Sequence, residues 1–219
     1  MGTVLGELLP LAVGIAISPI PLVAAILMML SRNGSGAAVG FAAGWVAGIA
    51  VATTVVLLIA GAVGGGGTHE QAAAVSWVKI GLGGLLLVLA VGQWRRRGET
   101  EPPGWMRSLD DFTPMRASGL GVLLSAVNPK NLLLCVSAGV AVGTSGLGAG
   151  GQVVAVAVFT VLAACGVLAV VVGYLLAADR LGPALDSTRK WLQANNHAVM
   201  AIVLLVMGSV VLGKGVGGL

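Results

Sequence analysis

The stretch AISPIPLVAAILMM, residues 16–29, sets two prolines, Pro19 and Pro21, inside an apolar run long enough to cross a bilayer. Proline lacks a backbone donor and its ring clashes with the preceding turn, so each one bends or breaks a helix. In hydrocarbon the freed carbonyls find no water. Irregular backbone persists at that depth only where protein buries it or water reaches it. Pro is well tolerated in the first turn of a helix. Ser18 stands one place before Pro19, where a hydroxyl can cap a new first turn. Ser18-Pro19 therefore reads as a helix restarting within the membrane, with cap and first helical residue in order. For this motif alone, the simpler reading is a plain kink with Ser18 satisfied by a neighbouring helix.

A second copy of the motif favours the restart. A shift of 110 residues lays AISPIPLVAAI, from Ala16, over AVNPKNLLLCV, from Ala126. Ser18 falls on Asn128, Pro19 on Pro129 and Leu22 on Leu132. Each motif sits in the first span of a three-span half. An odd number of spans reverses the insertion of the second half, which is the pattern of an inverted-topology repeat. The amides of each new first turn point into the protein and carry partial positive charge. Two such breaks predict a cavity between the halves.

Composition sets the class. Of 219 residues, 57% are hydrophobic and 9% charged, with a mean hydropathy of +1.01. A water-soluble domain does not carry that balance, so the chain reads as an integral membrane protein. A transmembrane helix needs about 20 apolar residues. Runs at 8–30, 37–60, 77–93, 119–142, 153–177 and 198–212 are expected to supply six spans. The expected fold is all-α: two inverted three-helix repeats, 1–94 and 118–219, joined by a basic loop at 95–117, with Pro-broken first and fourth helices. The runs lack the alternation of a membrane barrel. The first run has no basic segment before it and is not expected to be a cleavable signal.

Outside the runs, only 95–117 and 179–196 offer appreciable soluble chain, too little for a catalytic domain. No Ser/His/Asp set or carboxylate pair suggests an enzyme. The glycines at 64–67 lack the Lys and helix of a phosphate loop and read as an external turn. No cofactor and no nucleic-acid partner is expected. His69 and His197 read as loop or interface residues. Cys135 and Cys165 read as small core residues, and the tryptophans as mostly interfacial.

Charge orients the chain. Arg32, the five Arg of 95–117, and Arg180, Arg189 and Lys190 make nine of the twelve basic residues, all on one face of a six-span topology. Lys79 and Lys214 border the opposite face. The positive-inside rule places the basic loops in the cytoplasm and both termini outside. The Arg cluster at 95–97 suits anionic headgroups or a solvated linker.

Lys130 is left over, midway along the fourth span. An ionisable group at that depth is costly and is a functional hypothesis by default. It either extends along a water-filled cavity, snorkels to the headgroups, or meets a negative ligand. The neighbouring Asn128 and Asn131 suit a polar site. Two helix N-termini and one Lys favour an anion. No midplane carboxylate or His is available to hold a bare cation. Gly36, Gly40, Gly44 and Gly48 form a ridge at four-residue spacing, for close packing within the chain or against a second copy in a homodimer.

NPKNLLL at 128–134, SPIPLVAAILMM, and the segment GWMRSLDDFTPMRASGLGVLLSAVNPKNLLL resemble the glycopeptidolipid-addressing (GAP) family, also described as sulfolipid-addressing proteins, within the lysine-exporter superfamily. The resemblance covers nearly the whole chain. It implies an actinobacterial plasma-membrane protein concerned with moving glycolipids to the cell surface. By that resemblance Ser18, Pro19, Pro21, Asn128, Pro129, Lys130 and Asn131 line the substrate path. The expected function is export or flipping of an anionic amphiphile by alternating access, in contact with membrane lipids. Two rival readings stand beside it: a small-solute exporter of the amino-acid or ion type, and a non-transporting scaffold of a lipid-export machine. A cavity open sideways to lipid favours the first. A closed aqueous pocket favours the second.

Overall fold

A computed structural model describes residues 1–31, 34–64, 69–99 and 112–218. Arg32, Trp105, Arg107, the glycines at 65–67 and most of the basic loop lie outside the described residues. The chain is helical throughout its ordered elements: α1 (Gly2–Ala16), α2 (Pro19–Met29), α3 (Gly34–Gly64), α4 (His69–Arg95), α5 (Pro114–Ala126), α6 (Pro129–Gly143) and α7 (Ala149–Val216). Backbone angles leave the helical region at Ala177 (φ −150°, ψ 48°). That break divides α7 into two stretches of spanning length, α7a (Ala149–Ala177) and α7b (Leu181–Val216).

Four helices, α3, α4, α7a and α7b, are each long and apolar enough to cross a membrane. The pairs α1–α2 and α5–α6 reach that length only together, and are bent by 50° and 65°. The protein is therefore a multi-pass membrane protein with four to six spans. Large apolar side chains such as Leu58, Val88, Val153 and Leu176 are well exposed on the outside of the bundle. Such a surface is stable only against hydrocarbon.

Both bends have the same local cause. A residue before proline is driven from the α region into extended backbone. Ser18 (φ −74°, ψ 114°) and Asn128 (φ −60°, ψ 121°) adopt that geometry, and the helix restarts at the following Pro. Thr113 before Pro114 does the same, and its hydroxyl accepts the Arg116 amide at 3.4 Å. The α6–α7 connection turns at Gly146, whose φ of +68° is a left-handed conformation that disfavours any Cβ.

Glycine sets the packing. Cβ atoms placed on Gly40 and Gly44 would overlap the backbone of Pro114 and Ser118 in α5, and one on Gly48 would overlap Ser125. Gly36 meets Pro114 as well. The four-residue ridge is thus consumed by the α3–α5 contact, which leaves none of its glycines for a dimer. α3 continues along α6, where Gly139 lies against Thr53 and Val56. α7a crosses the first break, with Gly166 against the Ala16 carbonyl. α4 runs along α7b through Gly83, Gly208 and Gly215.

Three expectations are corrected. Residues 179–196, expected as a soluble loop, are helical. Asp186 pairs with Arg189 at 2.7 Å and Lys190 at 2.8 Å, one turn ahead, and such pairs support a polar helix that hydropathy cannot detect. Trp45 is fully buried mid-α3 and stacked on Phe41, not interfacial. The small faces of Gly44 and Gly121 let α5 close over it. Trp77, Trp94 and Trp191 do lie exposed, as interfacial residues should. Cys135 is buried, but Cys165 is on the outer face of α7a. His197 is also helical, and its Nδ1 lies 2.6 Å from Gln93 Oε1, linking α7b to α4.

Candidate functional site

The two breaks meet inside the bundle. At the end of α1 the Ile17 amide bonds the Val13 carbonyl and the Ser18 amide bonds that of Ile15, each at 3.1 Å. The Gly14 carbonyl between them is skipped. Lys130, in the first turn of α6, donates its Nζ to that carbonyl at 2.7 Å. The contact joins residues 116 positions apart and is buried. Lys130 is 2% exposed, so its ammonium does not snorkel to a membrane surface.

A matching contact closes the other break. The Asn131 amide donates from Nδ2 to the Leu124 carbonyl near the end of α5, at 3.0 Å. Its Oδ1 accepts the Ser18 hydroxyl at 3.3 Å. Asn131 is fully buried and therefore bridges the first break to the second. Gly14 and Leu124 are themselves 110 residues apart, the same offset as Pro19 and Pro129. At both breaks a side chain from the start of α6 satisfies the carbonyl that a Pro-broken helix leaves unpaired.

The breaks differ in their caps. Asn128 caps α6, accepting the Lys130 amide on Oδ1 at 3.1 Å. Ser18 occupies the N-cap of α2, but its side chain makes no cap bond. The hydroxyl turns to Asn131 instead, so the expected capping role falls to Asn128 alone. Pro19 and Pro21 are buried in the first turn of α2, whereas Pro129 is exposed. Ser18, Lys130 and Asn131 form the junction; the prolines create the breaks that allow it.

Electrostatics leave Lys130 under-compensated. No carboxylate lies within 4 Å of its ammonium among the described residues. Its partner is the C-terminal end of α1, whose dipole stabilises a cation by about 0.3–2 kcal/mol. Removing an ammonium from water costs several kcal/mol. Two of its three donors have no protein acceptor among the described residues. The site is thus suited to an anion that adds the missing charge. Gly14 lets α1 pack closely on α6 and α7b here: a Cβ there would lie 2.8 Å from Met207 and 3.1 Å from Leu134.

Asn131→Leu should test the bridge. It strands the Leu124 carbonyl and removes the acceptor of Ser18, so we expect a loss of about 1–3 kcal/mol in unfolding free energy. Denaturant titration in detergent measures it, and Leu132→Ala on the exposed face of the same turn is the comparison.

Two apolar grooves open on the sides of the bundle. One, of about 520 Å³, lies between α3 and α7a and is lined by Ala50, Thr54, Leu57, Val156 and Thr160. The other, of about 410 Å³, lies between α4 and α7b beside Trp94. Sequence reasoning missed the backbone acceptors at Gly14 and Leu124. It also missed a charged cluster, in which Lys79 and Lys214 both approach Glu7 Oε2 at 3.9 Å. The 110-residue offset of the two Pro motifs was the available signal for the two carbonyls.

A family model described as Sap, sulfolipid-1-addressing protein, matches residues 8–217. No curated protein and no solved structure matches the chain.

Proposed function

Because the chain belongs to the sulfolipid-1-addressing protein family, we propose that it carries a sulfated glycolipid, or a related anionic amphiphile, across the plasma membrane. The observation that carries this reading is Lys130, a buried ammonium at the meeting point of two broken spans with no acidic partner among the described residues. A sulfate headgroup supplies the charge that the α1 dipole only partly provides. The sideways-open grooves beside α3 and α4 suit acyl chains, which favours an amphiphile over a small solute.

Movement follows alternating access between two inverted three-helix halves. Reciprocal packing supports that arrangement. α3 lies along the broken pair α5–α6 of the other half, and α7 along the broken pair α1–α2. Separating the halves breaks the Lys130–Gly14 and Ser18–Asn131 contacts together and frees the ammonium for a headgroup. The chain acts as a carrier and not as an enzyme.

The test uses purified protein in vesicles holding a fluorescent sulfated glycolipid. Dithionite added outside quenches only outer-leaflet label in protein-free vesicles. With the protein present, inner-leaflet label should be quenched as well, and the desulfated lipid should move much more slowly. Equal rates with and without protein would overturn the proposal.

The positive-inside rule puts both termini outside in this reading. Tags at either terminus should be accessible from outside intact cells, and a tag within 95–117 should not, since nine of the twelve basic residues lie on the latter face. Reversed labelling would invert the direction of transport.

A further inference from the structure

A second charged feature lies at the opposite end of the α1–α6 seam. Lys130 and Gly14 mark the seam at the breaks. Seven residues along each helix, about 10 Å at 1.5 Å per residue, the seam reaches Ser137 on α6 and Glu7 on α1. There Lys79 of α4 and Lys214 of α7b both approach Glu7 Oε2 at 3.9 Å. All three side chains are largely covered, at 20%, 33% and 30% exposure. A small cavity of about 20 Å³ lies among them, bounded also by Leu11 and Ser137.

The arrangement is built for more than an ion pair. A tight ammonium–carboxylate contact lies near 2.7–2.9 Å, and 3.9 Å is beyond hydrogen-bonding distance. Glu7 therefore sits between the two lysines without closing on either. Two like charges share one carboxylate and leave a net charge of +1. Glycine enforces their proximity: a Cβ on Gly83 would lie 2.6 Å from the Leu212 amide, and one on Gly215 would lie 2.8 Å from that of Ile80. These contacts press α4 on α7b beside Lys79 and Lys214.

We propose that Lys79 and Lys214 form a second anion site, which takes the sulfate or phosphate headgroup of an amphiphile at the end of the seam that starts at Lys130. Glu7 competes with that headgroup for both ammoniums and so limits how long it stays. The proposal rests on the reading of the chain as a carrier of anionic amphiphiles, and it adds the place where the headgroup is held before release or after entry. Both lysines act as binding residues through charge-assisted hydrogen bonds.

The experiment uses the full-length chain carrying Lys130→Met, so that only the second site is read. Native mass spectrometry in detergent counts bound sulfated galactosylceramide, with unsulfated galactosylceramide and inorganic sulfate as the other arms. The sulfated lipid should bind and the neutral one should not. Lys79→Met and Lys214→Met should each weaken binding about tenfold or more, the size of one lost charge-assisted hydrogen bond. Glu7→Gln should tighten it about tenfold, because the competing carboxylate is gone. This gain cannot arise from misfolding. Inorganic sulfate should compete only far above the lipid concentration, since it lacks the chains.

Equal binding of sulfated and neutral lipid, or no change in either direction among the three variants, would overturn the second site. Inorganic sulfate binding as tightly as the lipid would overturn the lipid assignment and leave a free-anion site. Transport in vesicles is a separate readout. Its absence in the wild-type protein would sink the carrier reading while leaving lipid binding at Lys79 and Lys214 intact.

Discussion

Lys130→Met should leave the protein folded and stop lipid movement. Methionine keeps most of the apolar stem and deletes the charge. The folded state loses one hydrogen bond to the Gly14 carbonyl, a charge-assisted contact of about 1.5–3 kcal/mol. It also sheds the desolvation penalty of an ammonium, which is at least as large. The Gly14 carbonyl is left without its donor, at about 1–3 kcal/mol, so these effects offset and the net change in stability should be small. Transport should fall below detection in the dithionite assay, because the headgroup has lost its counter-charge at the crossing point. Lys130→Arg should recover only part of the rate, since a planar guanidinium does not occupy the volume of an ammonium. If Lys130→Met moves the sulfated lipid at the wild-type rate, Lys130 serves only to close the end of α1, and an anionic substrate loses its main support.

Gly44→Val should produce the largest loss of stability. A Cβ at Gly44 overlaps the Ser118 carbonyl and would lie 2.8 Å from the Ser118 Cα, so the obstacle is backbone and cannot rotate away. α3 and α5 must separate, which opens the contact that buries Phe41, Trp45 and Ala117. Overpacking typically costs about 1–3 kcal/mol, and a rigid backbone obstacle puts this site at the upper end. Gly81→Ala is the control. Nothing lies within 4 Å of a Cβ there, so the change should be neutral or stabilise the helix by up to about 1 kcal/mol. Thermal unfolding in detergent should show Gly44→Val aggregating far below wild type, with Gly81→Ala at or above it. A wild-type melting point for Gly44→Val would refute the α3–α5 packing.

The parts legible in the sequence are those set by local chemistry. Apolar runs marked all six helical segments or bent pairs of spanning length, because hydrocarbon burial needs no knowledge of neighbours. Pro19 and Pro129 marked both breaks, because the clash with the preceding residue is local. The ridge from Gly36 to Gly48 marked a close helix contact but not its partner. What the sequence could not display depends on the third dimension. Ser18 has the chemistry of a cap, yet Asn131, 113 residues away, claims its hydroxyl. Residues 179–196 look like loop because hydropathy reads burial, and a polar helix at the membrane edge is not buried. Lys79 and Lys214 were visible as border charges on one face. Their convergence on Glu7 depends on how closely α4 and α7b approach.

On the proposed mechanism, the junction of the two broken spans must open for lipid to pass. A reversible cross-link tests it most directly. Ser18→Cys and Asn131→Cys, in a chain carrying Cys135→Ala and Cys165→Ala, replace side chains whose polar atoms lie 3.3 Å apart. A short bis-methanethiosulfonate joins the two thiols, and dithiothreitol releases them. The cross-linked protein should leave inner-leaflet sulfated glycolipid protected from dithionite, and reduction before reconstitution should restore its movement. Undiminished transport by the cross-linked protein would show that lipid moves while the junction stays closed, and would overturn alternating access at this junction.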